Sequence, residues 1–475
     1  MCTVRGRFAG TAGSAYSAVE GKDPAEDKRR KEMKNRKTKI QQFLAGLSGS
    51  PIFVCIGLWT FWEPDFIKAR TGIPDTLFDA GAVIYLLFDM AFFMMRGRQR
   101  QHKAMRKYHC ALLAVAFIMC ASTLLHSGLH LQMWKCLKYI YPIAGSVLLL
   151  EAAMFEDETN AFRAVYWMCW VQIVVNCLTV FLCPNGLYTG TDNERQFLLG
   201  NENVFIMTIL PGLCAGSMLL LKKGRKISWD YAVLVLACIA SVVKVWSVSS
   251  LLGMLCFFIP LAAAFIIPWD LLFTVGVGIA AAFAGFVTMV LLRLEYLFAP
   301  VIVGVFHKNL TLTRRTLLWE KLIEAIGKSP VTGYGVETAE QFSARVGGDM
   351  HWVHAHDYYL ELLMKGGVLL LGAFLLLLIV TACSLDPVIA RKEAKIQSAT
   401  IFAFLICFIG DCYEMRTTFY MILTCAMVYG CLHGRAEERH DLCGNERADG
   451  KPDVPVRLCK NASEHESGSK REAGL

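Results

Sequence analysis

Apolar runs of roughly 20 residues recur along most of this chain, and no soluble core can enclose so many. A run of that length crosses the hydrocarbon of a bilayer as one helix. A globular domain can bury one of them, but not about a dozen. They lie near residues 44–62, 77–95, 109–127, 138–155, 163–183, 204–221, 231–247, 249–267, 271–292, 367–385, 398–413 and 415–432. Of the 475 residues, 55% are hydrophobic, and the mean hydropathy is +0.43. No strand-like alternation persists, which argues against a β-barrel. The expected fold is an all-α polytopic membrane protein with about 12 transmembrane helices.

The net charge of +8 is concentrated in short runs: KRRKEMKNRKTK from Lys28 to Lys39, RGRQRQHKAMRK from Arg96 to Lys107, KKGRK from Lys222 to Lys226 and RKEAK from Arg391 to Lys395. Basic runs beside membrane spans mark cytoplasmic loops. With these four inside and an even number of spans, both termini are cytoplasmic and the polar insert at 293–366 is extracytoplasmic. No groove-reading or aromatic module accompanies the charges, so nucleic acid is not expected as a partner. Most of the 18 cysteines sit inside apolar runs, with no zinc spacing. The first ~40 residues lack the apolar stretch of a cleavable signal peptide.

These features divide the chain into a basic, disordered cytoplasmic tail (1–42), a bundle of about nine helices (43–292), an extracytoplasmic loop (293–366), C-terminal membrane helices (367–433) and a second disordered tail (434–475). The spans carry few charges, and Lys244, Arg293, Glu151 and Asp411 fall mostly near span ends.

Five motifs line up along the chain. RQFLLGNENVFIMTILPGL, Arg195 to Leu213, leads an outer loop into a span; Asn201 and Asn203 suit a helix mouth, where side-chain oxygens cap free N–H groups. Arg195 is either an ordinary loop charge or a phosphate contact. SVVKVWSVSSLLGM, Ser241 to Met254, puts Lys244 at an outer span end, where it either snorkels or acts on an anion. The turn with Ser247, Ser249 and Ser250 aims helix N–H groups outward. LTRRTLLWEKLIEAIGKSP is a short amphipathic helix, with Leu318, Leu322 and Ile326 on one face, widened by Trp319 and Ile323. Thr313 can cap it. Arg314 and Arg315 then sit at its positive end, which an anion would favour.

SPVTGYGVE holds Tyr334 between Gly333 and Gly335 in a turn. HWVHAHDYYLELLMKGG brings His351, His354 and His356 to the start of a span. A metal would need a third ligand such as His351 or Asp357, and few carboxylates or cysteines are near to complete a site. The histidines therefore read as a general base or hydrogen-bond donors.

The ordered set resembles the O-antigen ligase/polymerase family of bacterial membrane glycosyltransferases. The resemblance rests on Arg195, Gly200, Asn201 and Asn203; on Ser247–Ser250; on Leu312-Thr313-Arg314-Arg315-Thr316 with Trp319; on Pro330, Gly333 and Gly335; and on His356-Asp357 with Leu360 and Gly367. It covers roughly residues 195–385. Three positions depart from the family pattern: Arg314 stands where a glycine is usual, Asp357 where an asparagine is, and Ser249-Ser250 where many members have Ser-Arg. Lys244 or Arg314 would then stand in for the missing cation.

The resemblance implies a GT-C-like fold, a polyprenyl-pyrophosphate-linked oligosaccharide donor, a glycan acceptor and the cytoplasmic (inner) membrane as the location. It implies no metal or other cofactor. Other polysaccharide-assembly membrane proteins would be partners. It also implies roles: Arg315 and Arg195 on the pyrophosphate, His356 on the acceptor hydroxyl, and Asp357 holding the imidazole tautomer. Lys244, Arg314, Asn203, His354 and Tyr334 would line the substrate. The favoured activity is polymerisation of surface-polysaccharide repeat units. The alternatives are ligation to a different acceptor and, in another class, transport of a lipid-linked sugar. A transporter would spread its charges along an internal cavity, whereas here the polar set gathers in one loop.

Overall fold

A computed structural model of the chain describes residues 38–69, 72–96, 103–127, 131–190, 194–224, 227–305, 315–347, 352–413 and 417–448. Arg314, His351 and Thr313 lie outside these residues, as do most of both tails and parts of the basic runs. Helices dominate. The first half holds α1 (Thr38–Ser48), α2 (Pro51–Phe61), α3 (Asp65–Ala69), α4 (Ile73–Arg96), α5 (Lys103–Ser127), α6 (Leu131–Glu156) and α7 (Glu158–Leu182). A two-residue antiparallel pair follows, β1 (Tyr188–Thr189) with β2 (Arg195–Gln196). The second half holds α8 (Ile206–Lys223), α9 (Trp229–Val245), α10 (Val248–Ile266), α11 (Val275–Phe286), α12 (Arg315–Lys328), α13 (Ala339–Arg345), α14 (Tyr358–Leu385), α15 (Lys392–Gly410) and α16 (Thr417–Ala448).

Among the described residues, eight helices are long and apolar enough to cross a membrane, or nine if the bent pair α1 and α2 forms one span. The chain is therefore a multi-pass helical membrane protein, with fewer clear spans than the dozen apolar runs suggest. Length explains part of the difference. The α9 helix has 17 residues, and α11 with its π-helical continuation is likewise short. The α16 helix joins an apolar first half to a charged second half, which dilutes its hydropathy.

Local chemistry sets the helix ends. Asp157 caps α7 by accepting from the Asn160 N–H at 2.9 Å. Ser247 caps α10 through the Ser250 N–H at 3.2 Å. Gly224, at φ 59°, closes α8 in the left-handed region. The core forms where α14 packs on α5, α7 on α8, α10 on α15 and α16 on α6. Many apolar side chains still face outward, such as Ile84, Leu87 and Met94 along α4. On a soluble protein such faces would be a liability; in a bilayer they meet lipid.

Two ends of the bundle differ. At one end the start of α7, the end of α8 and the middle of α16 meet: Glu158 lies 3.0 Å from Lys222 and 3.1 Å from His433. Arg391, just before α15, also reaches His433. Lys395 near the start of α15 donates to the Ala264 carbonyl near the end of α10. The other end gathers the end of α15, the start of α14 and the start of α10.

A candidate glycosyl-transfer site

Three segments distant in sequence meet where α15 ends. Arg315 is the first residue of α12; its guanidinium donates to the Gly410 carbonyl and lies 3.5 Å from Asp411 Oδ2. His356 ends the loop before α14, and its Nδ1 lies 3.6 Å from Asp411 Oδ1. Asp411 follows the last residue of α15 and is buried. One carboxylate thus faces both the arginine and the imidazole. His354 stands perpendicular to His356, with ring centroids 4.0 Å apart. His356 has φ 48°, a left-handed conformation that costs a non-glycine residue of order 1–3 kcal/mol and concentrates at functional sites.

The electrostatics follow from burial and charge. Burial opposes ionisation of Asp411, but Arg315, His356 and His354 outweigh it and hold the carboxylate well below its usual range. For His356, burial pushes the imidazole below the usual 6.5, and Asp411 offsets this while His354 and Arg315 add to it. The ring is therefore neutral at pH 7, with Nδ1 toward a carboxylate. That facing favours the tautomer protonated on Nδ1, which leaves Nε2 as a base.

Asp357 corrects the expectation drawn from its neighbour. It is the N-cap of α14: Oδ1 accepts from the Leu360 N–H at 2.7 Å, and the residue is fully buried. Oδ2 has no partner among the described residues, and burial pushes the carboxyl well up. The carboxylate facing His356 is Asp411, 55 residues further on.

Tyr334 is likewise structural. Its hydroxyl donates to the Ala325 carbonyl at 2.6 Å, and its ring lies 3.5 Å from the Arg345 guanidinium carbon. The surrounding loop mends a broken helix. The α14 helix loses helical geometry at Gly366 and Gly367. There the Tyr334 N–H donates to the Met364 carbonyl at 2.6 Å and Gly335 to Lys365 at 3.1 Å, while the Val368 N–H donates to Pro330 at 2.8 Å. The contact is backbone on backbone: a Cβ on Gly333 would come 2.4 Å from the Met364 oxygen, and one on Gly367 2.2 Å from the Val331 oxygen. That is why glycine stands at both positions.

The α12 helix buries Leu318, Trp319 and Leu322 against the bundle, while Ile323 is exposed. It caps the bundle beside α14 and sets Arg315 at its first turn.

The other expected residues form a second group. Arg195 is exposed on β2 and donates to the Val245 carbonyl at 3.3 Å. Lys244 is exposed and lies 5.9 Å over the Phe181 ring. Neither asparagine caps α8, whose N-cap Phe205 has no side-chain bond; Asn201 closes the turn before it, accepting from the Asn203 and Val204 N–H groups at 3.1 and 3.3 Å. Both Ser247 and Ser250 hydroxyls donate to the Glu202 carbonyl, at 2.8 and 2.9 Å, tying the serine turn to the asparagine loop. The two groups adjoin through Ser249, whose carbonyl receives the Cys407 thiol one turn before Asp411. Sequence reading missed Asp411 as a site residue; its signal was an acid at the end of an apolar span.

No curated protein matches the chain. Residues 211–375 match the model of the O-antigen ligase family. The matched stretch contains Arg315, His354 and His356, while Arg195 and Asp411 flank it. The match supports glycosyl transfer of the O-antigen ligase type in a broad sense. Over this stretch the chain is similar to the O-antigen ligase family.

Proposed function

We propose that this protein transfers a saccharide from polyprenyl pyrophosphate to the hydroxyl of another glycan, extending surface-polysaccharide repeat units. The observation that carries the reading is the single carboxylate, Asp411, facing both Arg315 and His356. A cation for the leaving group and a base for the nucleophile are what a glycosyl transfer needs, and they stand side by side.

In this reading the acceptor oxygen attacks the anomeric carbon of the donor. The bond from that carbon to the pyrophosphate oxygen breaks, and the pyrophosphate leaves with the electron pair. The acceptor proton passes to Nε2 of His356, and Asp411 stabilises the imidazolium that forms. Arg315 spends part of its fork on the Gly410 carbonyl and Asp411, and its remaining N–H donors serve the pyrophosphate. Arg195 and Lys244 add positive charge along the donor's path, with Asn203 and His354 at the rim of the sugar site.

The orientation rests on charge. The end with Lys222, Arg391 and Lys395 is basic and is assigned to the cytoplasm. The site lies at the other ends of α10 and α15 and so faces outward. The shorter helices α9 and α11, together with α16, complete a GT-C-like bundle with both termini inside.

The test uses the purified full chain in vesicles with a polyprenyl-pyrophosphate-linked oligosaccharide. The expected products are a lengthened lipid-linked glycan and free polyprenyl pyrophosphate, both lost in His356→Ala. Translocation of the intact lipid without chain growth, or undiminished growth in His356→Ala, overturns the reading.

A further inference from the structure

The loop that presents His356 is pinned at Ala355. Both backbone groups of Ala355 are bound by buried side chains. Its carbonyl accepts from Trp319 Nε1 of α12 at 3.2 Å, and its N–H donates to Glu361 Oε2 of α14 at 2.9 Å. Trp319 and Ala355 are fully buried, and Glu361 is 5% exposed. The other carboxylate oxygen of Glu361 lies 2.8 Å from Lys365 Nζ, itself buried. The Lys365 ammonium rests 4.9 Å from the Tyr139 ring of α6. Its carbonyl is the one that receives the Gly335 N–H at the break in α14.

A buried ion pair is a poor way to gain stability, because desolvating two charges offsets most of their attraction; apolar replacements of similar volume are often neutral or better. What such a pair fixes well is geometry. Ala355 lies between His354 and His356, and a left-handed residue such as His356 keeps its conformation only where its surroundings over-determine it.

We infer that the Glu361–Lys365 pair is a positioning device: it pins Ala355 so that His356 is held in its strained conformation facing Asp411 and Arg315. Glu361 is a positioning residue, acting on the reaction only through the loop. The inference rests on the glycosyl-transfer reading for its kinetic consequence, but not for its geometric one. The charged and titratable groups around His356 are Asp411, Arg315 and His354, and His354 also faces Glu361.

The test compares wild type with two double variants of the full chain in vesicles. Glu361→Leu with Lys365→Met removes both charges together, so no lone buried ion remains. Glu361→Gln with Lys365→Met also removes both but keeps an oxygen for the Ala355 N–H. Two readouts are taken. The first is labelling of His354 and His356 by diethyl pyrocarbonate, read by mass spectrometry, which needs no turnover. The second is kcat, donor KM and the acid limb of the pH–rate profile with the lipid-linked oligosaccharide.

The expected result for Glu361→Leu with Lys365→Met is several-fold faster labelling of His356 and a kcat lower by about a hundredfold, the scale of a 1 Å misplacement. KM stays near wild type, and the acid limb moves up toward the ordinary imidazole value as the ring leaves its buried place. The glutamine variant recovers most of both readouts. A loss of active protein alone would lower kcat without moving the limb. Unchanged labelling with an unmoved limb, or equal impairment of the two variants, overturns the inference. If the leucine variant does not accumulate, Glu361→Met with Lys365→Met, which also removes the pair and the oxygen on the Ala355 N–H, carries the same expectations and the same refutation. Faster labelling of the leucine variant alongside full activity of His356→Ala would instead refute the glycosyl-transfer reading and leave the positioning device standing.

Discussion

The two ends of the bundle are built from the same kinds of side chain and hold them differently. At one end His433, Glu158 and Lys222 draw together at 3.0 and 3.1 Å. At the other, His356 and Arg315 stand 3.6 and 3.5 Å from Asp411. Nδ1 of His356 lacks a hydrogen bond among the described residues, and the backbone beneath the ring is strained. The first arrangement joins three helices. The second keeps its charges close but not closed, which is how a site looks before its ligand completes it. Residue type alone therefore does not separate a structural cluster from a reactive one. In the proposed reading, contact length and strain set the two apart.

The largest expected effects come from dismantling the looser cluster. Arg315→Ala is expected to lower kcat for chain growth by about 10²–10³, the usual cost of losing a group that stabilises charge in the transition state. His356→Ala should cost about 10²–10⁴, as general bases do. Rates from purified protein in vesicles measure both. By contrast, Glu158→Gln and His433→Ala should leave chain growth near the wild-type rate. They should instead lower the melting temperature, losing about 1–3 kcal/mol of charge-assisted contacts. If the stability variants abolish turnover and the site variants only melt early, the comparison is broken.

A pH profile sharpens it. Because burial holds His356 below the usual 6.5, the base is free at neutrality, and activity should fall only on the acid side of that value. The limb should vanish in His356→Ala if residual turnover is measurable. A limb centred at or above 6.5 would mean that the ring is not in its buried place. The smallest effect is expected from Tyr334→Phe, which loses one buried hydrogen bond to Ala325. That is worth about 1 kcal/mol, visible in thermal melting, with kcat almost unchanged.

These contrasts explain what the sequence could and could not convey. Membrane residence was legible because spans are long and locally written. The helix bearing Arg315 was legible for the same reason: Leu318, Trp319 and Leu322 recur at helical spacing and are buried. The partner of His356 was not. Asp357 is adjacent in sequence and looked like the orienting carboxylate, yet an acid at the first position before a helix is drawn to the free N–H groups there. Asp411 reaches the site only because α15 runs the length of the bundle and ends beside α12 and α14. The turn at Tyr334 looked like a substrate contact. Its glycines instead answer close backbone approaches, Gly333 to the break at Gly366 and Gly367 and Gly335 to Thr123 of α5. Long-range pairing of this sort leaves no periodic trace.

The account turns on Asp411 serving arginine and histidine together, and Asp411→Asn tests this most directly. The substitution keeps the shape and removes the charge. Measured on folded protein in vesicles, chain growth from a polyprenyl-pyrophosphate-linked oligosaccharide should fall by about a hundredfold or more, as when a triad carboxylate is replaced. Growth at the wild-type rate with the same pH limb would contradict the account.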